Sequence, residues 1–187
     1  MATIDWPSTL DLALVSGAPI REKGLIGWWS ANRVPEIPDN PAGVTYLQDA
    51  WATVDGWGVG GIVSGTASVS VANGRLVFQR DGVGAYAIKT LTMPLGKSVR
   101  VKVKIEGGSS SSVVFGGGGI VYSSSIFNLV PGSFAICDCV ITKAGSSMAI
   151  YSASRNVDES QTITVEFVYI GDGTYSTALR DDSGNGN

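Results

Sequence analysis

Hydrophobic and polar positions alternate most plainly between residues 98 and 105. The aliphatic positions are Val99, Val101, Val103 and Ile105, and the cationic positions between them are Arg100, Lys102 and Lys104. Because successive side chains of a strand point to opposite faces of a sheet, this alternation predicts a strand with one buried face. We expect the aliphatic residues to face the core and the cationic residues to form a ladder in solvent.

A second pattern predicts a β-hairpin around Asn73-Gly74. One alternating run ends at Ala72 and the next begins at Arg75. Asn-Gly between two such runs favours a type I′ turn, in which both turn residues take positive φ. The two-residue turn also sets the register, which pairs Ala72 with Arg75, Val71 with Leu76 and Val69 with Phe78. The four residues Val69, Val71, Leu76 and Phe78 then share one face of the sheet.

Similar runs continue to residue 170, separated by turns rich in glycine and serine. In the last run Ile163, Val165, Phe167 and Tyr169 occupy alternate positions. The pattern predicts about eight or nine strands at intervals of roughly ten residues, and no convincing helix. The expected fold class is therefore all-β, a β-sandwich of jelly-roll type over residues 45–172.

Residues 1–44 have a different character, because five prolines interrupt them. Proline lacks a backbone donor and keeps the preceding residue extended, so we predict an extended N-terminal arm. The arm is too apolar for a solvated linker, and its large apolar side chains include Trp6, Leu10, Leu12, Leu14, Trp28 and Trp29. These side chains need cover from their own domain or from another subunit, and we favour another subunit. Residues 173–187 form a polar C-terminal tail.

Composition excludes several functional classes. The formal net charge is −3 and charged residues make up 16% of the chain, which argues against a nucleic-acid-binding surface. The chain has no histidine, so Ser-His-Asp and Cys-His catalytic arrangements and the common histidine-based metal sites are excluded. The N-terminus lacks the basic and apolar regions of a signal peptide, and no stretch is apolar enough for membrane insertion.

The two cysteines, Cys137 and Cys139, flank Asp138 in a predicted strand. Residues two apart in a strand point to the same face, where a disulfide between them would be strained. We expect both to be reduced and to serve as small apolar residues.

Candidate chemistry favours binding over catalysis. Glycosidic hydrolysis needs two carboxyl groups at a fixed separation, and the sequence indicates no such pair, so we predict that the protein is not an enzyme. Sugar rings stack on exposed aromatic faces, and the candidate glycan-binding residues are Trp51, Trp57, Tyr86, Tyr122 and Tyr151. The alternative is that these are core or rim aromatics. No cofactor or metal is expected, although Asp49, Asp55 and Asp181-Asp182 offer oxygen ligands for a structural Ca²⁺.

Three motifs carry a resemblance to a known family. Asp55-Gly56-Trp57, the strand ending in Asn73-Gly74-Arg75-Leu76, and Gly96-Lys97 followed by a strand resemble the first half of carbohydrate-binding-module jelly rolls. Such modules recur in tail fibres and other appendages of tailed bacteriophages. Residues 4–17 resemble the short N-terminal segment of phage tail and virion proteins, with Asp11 and Ala13 where prolines are typical.

The resemblance implies a non-enzymatic virion structural protein, an appendage of a phage tail or capsid. The arm would dock it to other virion proteins or to its own copies, as a homo-oligomer for which a trimer is favoured. The sandwich would display a face for host attachment through cell-surface polysaccharide. The alternative is a carbohydrate-binding module of a secreted polysaccharide-degrading enzyme.

Overall fold

The computed structural model describes residues 43–172, together with the backbone of two short strands, Trp29–Ser30 and Arg180–Asp181. By contacts, the chain divides into a unit of Asn40–Gly173 and a second unit drawn from Met1–Asp39 and Thr174–Asn187. In the second unit the two short strands pair antiparallel. Apart from these strands and residues 43 and 44, the predicted arm and tail lie outside the described residues.

Two antiparallel sheets form the sandwich. The strands, in chain order, are β1 (Trp29–Ser30), β2 (Tyr46–Gln48), β3 (Gly58–Gly60), β4 (Ser64–Ala72), β5 (Arg75–Val83), β6 (Tyr86–Met93), β7 (Ser98–Gly107), β8 (Ser112–Gly116), β9 (Val121–Tyr122), β10 (Ile126–Asn128), β11 (Ala135–Lys143), β12 (Gly145–Ser152), β13 (Glu159–Gly171) and β14 (Arg180–Asp181). The five-stranded sheet has the order β10-β8-β12-β6-β3. The seven-stranded sheet has the order β4-β5-β13-β7-β11-β9, with β2 pairing the end of β13.

No helix occurs in residues 43–172, so the described part of the chain contains no helix that could cross a membrane. The prediction of an all-β sandwich of jelly-roll type is confirmed.

The core lies between the two sheets and is built from the alternate positions of their strands. Its fully buried members include Leu76, Val99, Val101, Val103, Ile105, Phe115, Met148, Ile150 and Ile163. Burying one such side chain contributes about 1.5–3 kcal/mol. The predicted core face of β7 is therefore confirmed.

The hairpin between β4 and β5 has the predicted geometry. Asn73 and Gly74 have φ values of 53° and 67°, as a type I′ turn requires. The register pairs Ala72 with Arg75, Val71 with Leu76 and Val69 with Phe78. The local turn sequence was sufficient to define this pairing.

The cationic positions of β7 differ from the prediction, because each one pairs with a carboxylate. Arg100 is buried and contacts Asp138, directly opposite on β11, through two hydrogen bonds of 2.7 and 2.8 Å. Lys102 pairs with Glu166 at 2.9 Å and Lys104 with Glu106 at 2.7 Å. The expectation of a ladder in solvent was wrong, since the carboxylates that cover it come from other strands and from the end of β7 itself.

A β-bulge in β13 changes which residues face the core. The register with β7 shifts between Val165 and Phe167, and the residues of the strand that join the core cluster are Ile163, Val165, Val168 and Ile170. Phe167 and Tyr169 are also buried but lie outside that cluster, so beyond Val165 the predicted alternation does not identify the residues that join it. At the bulge, the indole Nε1 of Trp51 donates a hydrogen bond of 2.8 Å to the carbonyl oxygen of Glu166.

The cysteines are free and buried, as expected. Burial raises the pKa of the Cys137 thiol to about 12, and the negative charge of Asp138 adds to this effect. Burial, again with a smaller contribution from Asp138, raises the pKa of the Cys139 thiol to about 12.

Because the thiolate is the reactive form, we expect neither Cys137 nor Cys139 to react with a disulfide reagent at pH 8 while the protein is folded. Mass spectrometry should show no adduct on the native protein and two adducts after denaturation in urea. Rapid labelling of native protein would contradict this burial.

Candidate functional site

The outer side of the five-stranded sheet carries a patch of aromatic and aliphatic side chains. The inner positions of its strands, including Ala87, Val113, Phe115 and Ile150, belong to the core. The positions between them point outward, and they are Tyr86, Ile88, Val114, Ile126, Ala149 and Tyr151, which we call the tyrosine face. Cross-strand pairing places Tyr151 opposite Val114, and Val114 opposite Ile126, so that one row crosses three strands.

Two half-buried tyrosine rings form the centre of this face. The ring centroids of Tyr86 and Tyr151 are 6.2 Å apart and the ring planes are inclined at 55°. A Cβ atom on Gly60 would lie 2.6 Å from the Tyr86 ring, and one on Gly116 would lie 3.1 Å from the Tyr151 ring. The glycines of β3 and β8 therefore leave the space in which the two rings lie close to the sheet.

Arg155 extends over the two rings from the turn that follows β12. Its guanidinium carbon lies 4.4 Å from the Tyr151 ring centroid and 5.9 Å from that of Tyr86, which is within the range of cation–π attraction. Its backbone is fixed on both sides, since its N–H donates to the carbonyl of Ser152 at 3.1 Å and its carbonyl accepts from the N–H of Gly84 at 2.7 Å. The site thus combines two rings with a positioned cation.

Arg80 holds the turn that carries Arg155. Its side chain lies beneath the turn, and the residue is only 3% exposed. Nη1 donates to the carbonyl of Val157 at 3.0 Å and Nη2 to the carbonyl of Ser154 at 3.1 Å. Nη2 also pairs with a carboxylate oxygen of Glu159 at 2.9 Å. These bonds tie several carbonyls of the turn to strand β5.

The electrostatics of this network favour the ionised form of Glu159. Burial acts to raise the pKa of this carboxyl group, but hydrogen bonds from Ser154 and Ser109, together with the charge of Arg80, outweigh it and hold the pKa below its usual value. The network is therefore an ion pair at neutral pH, satisfied by several additional hydrogen bonds.

Three of the five predicted glycan-binding residues lie in the core. Trp51 and Trp57 are each 3% exposed and pack edge to face, with centroids 6.5 Å apart. Tyr122 is 7% exposed and packs in the same way on Phe115. These ring faces are covered, so the alternative interpretation as core aromatics describes them. Of the predicted set, the structure brings Tyr86 and Tyr151 together on one outer face.

The Asp-Gly-Trp element has a structural role. Asp55 and Gly56 take φ values of 46° and 75° in a turn. The Asp55 carboxylate accepts hydrogen bonds from the Tyr46 hydroxyl at 2.7 Å and from Lys89 Nζ at 3.2 Å. The bond from Tyr46 is the largest influence on Asp55, and together with Lys89 it lowers the pKa of this carboxyl group. Nε1 of Trp57 donates to the same tyrosine oxygen at 3.3 Å.

Of the side chains considered for calcium, those of Asp181 and Asp182 lie outside the described residues. Asp55 is engaged by Tyr46 and Lys89, and only the backbone of Asp181 is described. Within the described part of the chain, no three His, Cys, Asp or Glu side chains are grouped as a metal site would require.

The predicted docking residues fall almost wholly outside the described residues. Trp6, Leu10, Leu12, Leu14 and Trp28 belong to that part of the arm, and for Trp29 only the strand pairing with Asp181 is described. Docking through the arm therefore stays a prediction.

Sequence reasoning missed Arg155. A turn residue has no periodicity to mark it, and Arg155 is a single cation in a polar segment after β12. Its position over the rings depends on the pairing of β6 with β12 and on Arg80, which is 75 residues away in sequence. Both are long-range features without a local signature.

Comparison with known proteins identifies a likeness of fold. No protein family matches the sequence, and no curated protein matches it either. A solved structure titled "xylan-binding module CBM15" has a TM-score of 0.48 and 13% identity, over 71% of this chain and 99% of that one. One titled "Carbohydrate binding module family29" has a TM-score of 0.46 and 14% identity, over 70% of this chain and 88% of that one.

A third match covers part of a larger chain. It is the structure of the CBM22-1-GH10 modules of Clostridium thermocellum xylanase 10B complexed with xylohexaose, with a TM-score of 0.48 and 15% identity. The match spans 74% of this chain and 30% of that one. These likenesses concern the fold alone, and what the chain binds is inferred below from its own side chains.

Proposed function

We propose that the protein binds polysaccharide without cleaving it, through the tyrosine face. The observation that carries the proposal is the pair of neighbouring tyrosine rings on an outer sheet face, 6.2 Å apart. A pyranose ring presents apolar C–H groups on its faces and hydroxyl groups around its edge. Aromatic rings with a polar rim suit such a ligand, since tyrosine supplies both an apolar face and a hydroxyl group.

The surroundings of the two rings fit an elongated ligand. Half-buried Ile88 and exposed Ile126 extend the apolar surface to either side of the rings, while Val114, between Tyr151 and Ile126 in the row, is buried. Exposed apolar patches on a soluble domain commonly mark interaction sites. No member of the tyrosine face is a carboxylic acid, so the face itself supplies no acid–base pair for glycosidic hydrolysis.

The test compares tyrosine variants with a matched aromatic control. We expect Tyr86→Ala and Tyr151→Ala each to weaken binding to a responsive polysaccharide about ten-fold or more, because each removes an aromatic contact worth about 1.5–3 kcal/mol. Affinity electrophoresis against a panel of neutral and acidic polysaccharides measures the effect.

Phe134→Ala is the control, because Phe134 is a half-buried ring beside Arg75 and Lys104, away from the five-stranded sheet. The Phe134→Ala variant should bind the polysaccharide with the same affinity as the unmodified protein. Binding that survives both tyrosine changes, or that is lost in the Phe134 variant instead, would contradict the proposed location.

Residues 43–172 contain no feature that indicates a virus particle, so the proposal is made for binding alone. It agrees with the alternative predicted from the sequence, a carbohydrate-binding module. The virion location, host attachment and trimer depend on the arm and remain sequence predictions. Detection of the chain in purified particles by mass spectrometry would test them.

A further inference from the structure

Most cations of the described sandwich are paired with carboxylates, and Arg155 is an exception. Ion pairs with carboxylates are formed by Arg80, Arg100 and the two lysines of β7, among others. Within residues 43–172, the Arg155 guanidinium contacts the rings of Tyr86 and Tyr151 and has no carboxylate partner. The two acidic residues that follow it most closely in sequence form no ion pair with it, since Asp158 is exposed and Glu159 pairs with Arg80.

The contact with the rings leaves the hydrogen-bonding capacity of Arg155 available. A guanidinium carries five N–H donors in a rigid plane, and the described residues provide no acceptor for those of Arg155. Its half-buried position and its fixed backbone restrict the side chain before any ligand arrives. Such preorganisation reduces the entropy lost on binding.

We propose that the tyrosine face selects polysaccharides that carry carboxylate groups, namely uronic acid units, and that Arg155 is the residue that recognises the carboxylate. This inference rests on the proposed function. A planar guanidinium matches a carboxylate with two parallel hydrogen bonds. The sugar ring stacks on Tyr86, whose ring centroid is 5.9 Å from the guanidinium carbon, while its carboxylate pairs with the guanidinium held over Tyr151 at 4.4 Å.

The first test compares polysaccharides that differ only in charge. Polygalacturonate, alginate and glucuronoxylan are each prepared in native form and in carboxyl-reduced form, and binding to the full chain is measured by isothermal titration calorimetry. We expect at least one native polymer to bind about ten-fold or more tightly than its reduced form, as the loss of a hydrogen-bonded charge predicts. Added salt should weaken binding of the native form more than that of the reduced form.

The second test uses substitutions of Arg155. Arg155→Gln should reduce affinity for the native polymer to that for the reduced polymer, and Arg155→Lys should restore part of it, because lysine keeps the charge but lacks the planar fork. Lys143→Gln is the matched control, since Lys143 is an exposed cation at the end of β11 that also lacks a carboxylate partner in the described residues. Its affinity for both forms should be unchanged.

The outcomes separate this inference from the proposed function. Equal binding of native and reduced polymers, unaffected by Arg155→Gln, would overturn carboxylate selection and leave polysaccharide binding in place. Absence of binding to every polymer by the unmodified protein would overturn both. Thermal unfolding of each variant shows whether a lost affinity reflects a lost fold.

Discussion

Replacement of Arg80 by methionine is expected to lower the free energy of unfolding by about 3–5 kcal/mol, because it removes one partner of a buried ion pair. Arg80 is nearly inaccessible, and its guanidinium donates to the backbone of Gly82, Ser154 and Val157 as well as to Glu159. Methionine fills similar space but donates no hydrogen bonds. The variant leaves a largely buried carboxylate and several carbonyls without their donor.

Urea denaturation followed by tryptophan fluorescence measures the effect of Arg80→Met. Arg75→Met is the matched control, because Arg75 pairs with Glu166 at 3.1 Å near the surface, where both side chains are partly exposed. An exposed pair of this kind contributes about 0–1 kcal/mol. If the two variants lost equal free energy of unfolding, the buried Arg80 network would contribute no more to stability than the exposed Arg75 pair.

The same network makes a prediction for acid conditions. The pKa of Glu159 is lowered in the folded protein, so its ionised form contributes stability above the pKa of the unfolded state. That contribution is lost as the pH falls through the folded-state pKa. The difference in stability between the unmodified protein and Arg80→Met should therefore shrink as the solution is acidified below about pH 4. A difference that is constant down to low pH would show that Glu159 is not involved.

The features that sequence alone predicted are those with a local cause. The Asn73-Gly74 turn determines both its own φ values and the pairing of the strands beside it, so the register followed directly. The alternation in β7 likewise identified its core face. In each case, the residues that establish the structure are adjacent in the chain.

The features that were missed depend on residues distant in sequence. The bulge in β13 reverses the faces of the strand beyond Val165, and the donor that satisfies its carbonyl, Trp51, is 115 residues away. The alternation of residues along a strand cannot show whether a tryptophan side chain is buried, because the residues that pack against it come from another part of the chain. The same limit applies to Tyr86 and Tyr151, which meet only because β6 pairs with β12.

Replacement of Trp51 is expected to have the second large effect on the free energy of unfolding. It also tests whether this residue has a structural role or a role in binding. Trp51→Ala should lower the free energy of unfolding by about 3–5 kcal/mol, as a large cavity in the core does. Trp51→Phe should cost about 1–3 kcal/mol, because the ring remains while the Glu166 carbonyl at the bulge loses its donor.

Comparison with Tyr151→Ala makes the test of Trp51 decisive. Stability is measured by urea denaturation and polysaccharide affinity by affinity electrophoresis, on protein shown to be folded. Trp51→Phe should lose stability and keep its affinity, since the Trp51 side chain is buried against Trp57 and the bulge. Tyr151→Ala should lose affinity with a smaller loss of stability, since its ring lies on the outer face. If Trp51→Phe lost affinity while Tyr151→Ala kept it, Trp51 would belong to the binding site. The tyrosine face would then not be the surface that contacts sugar.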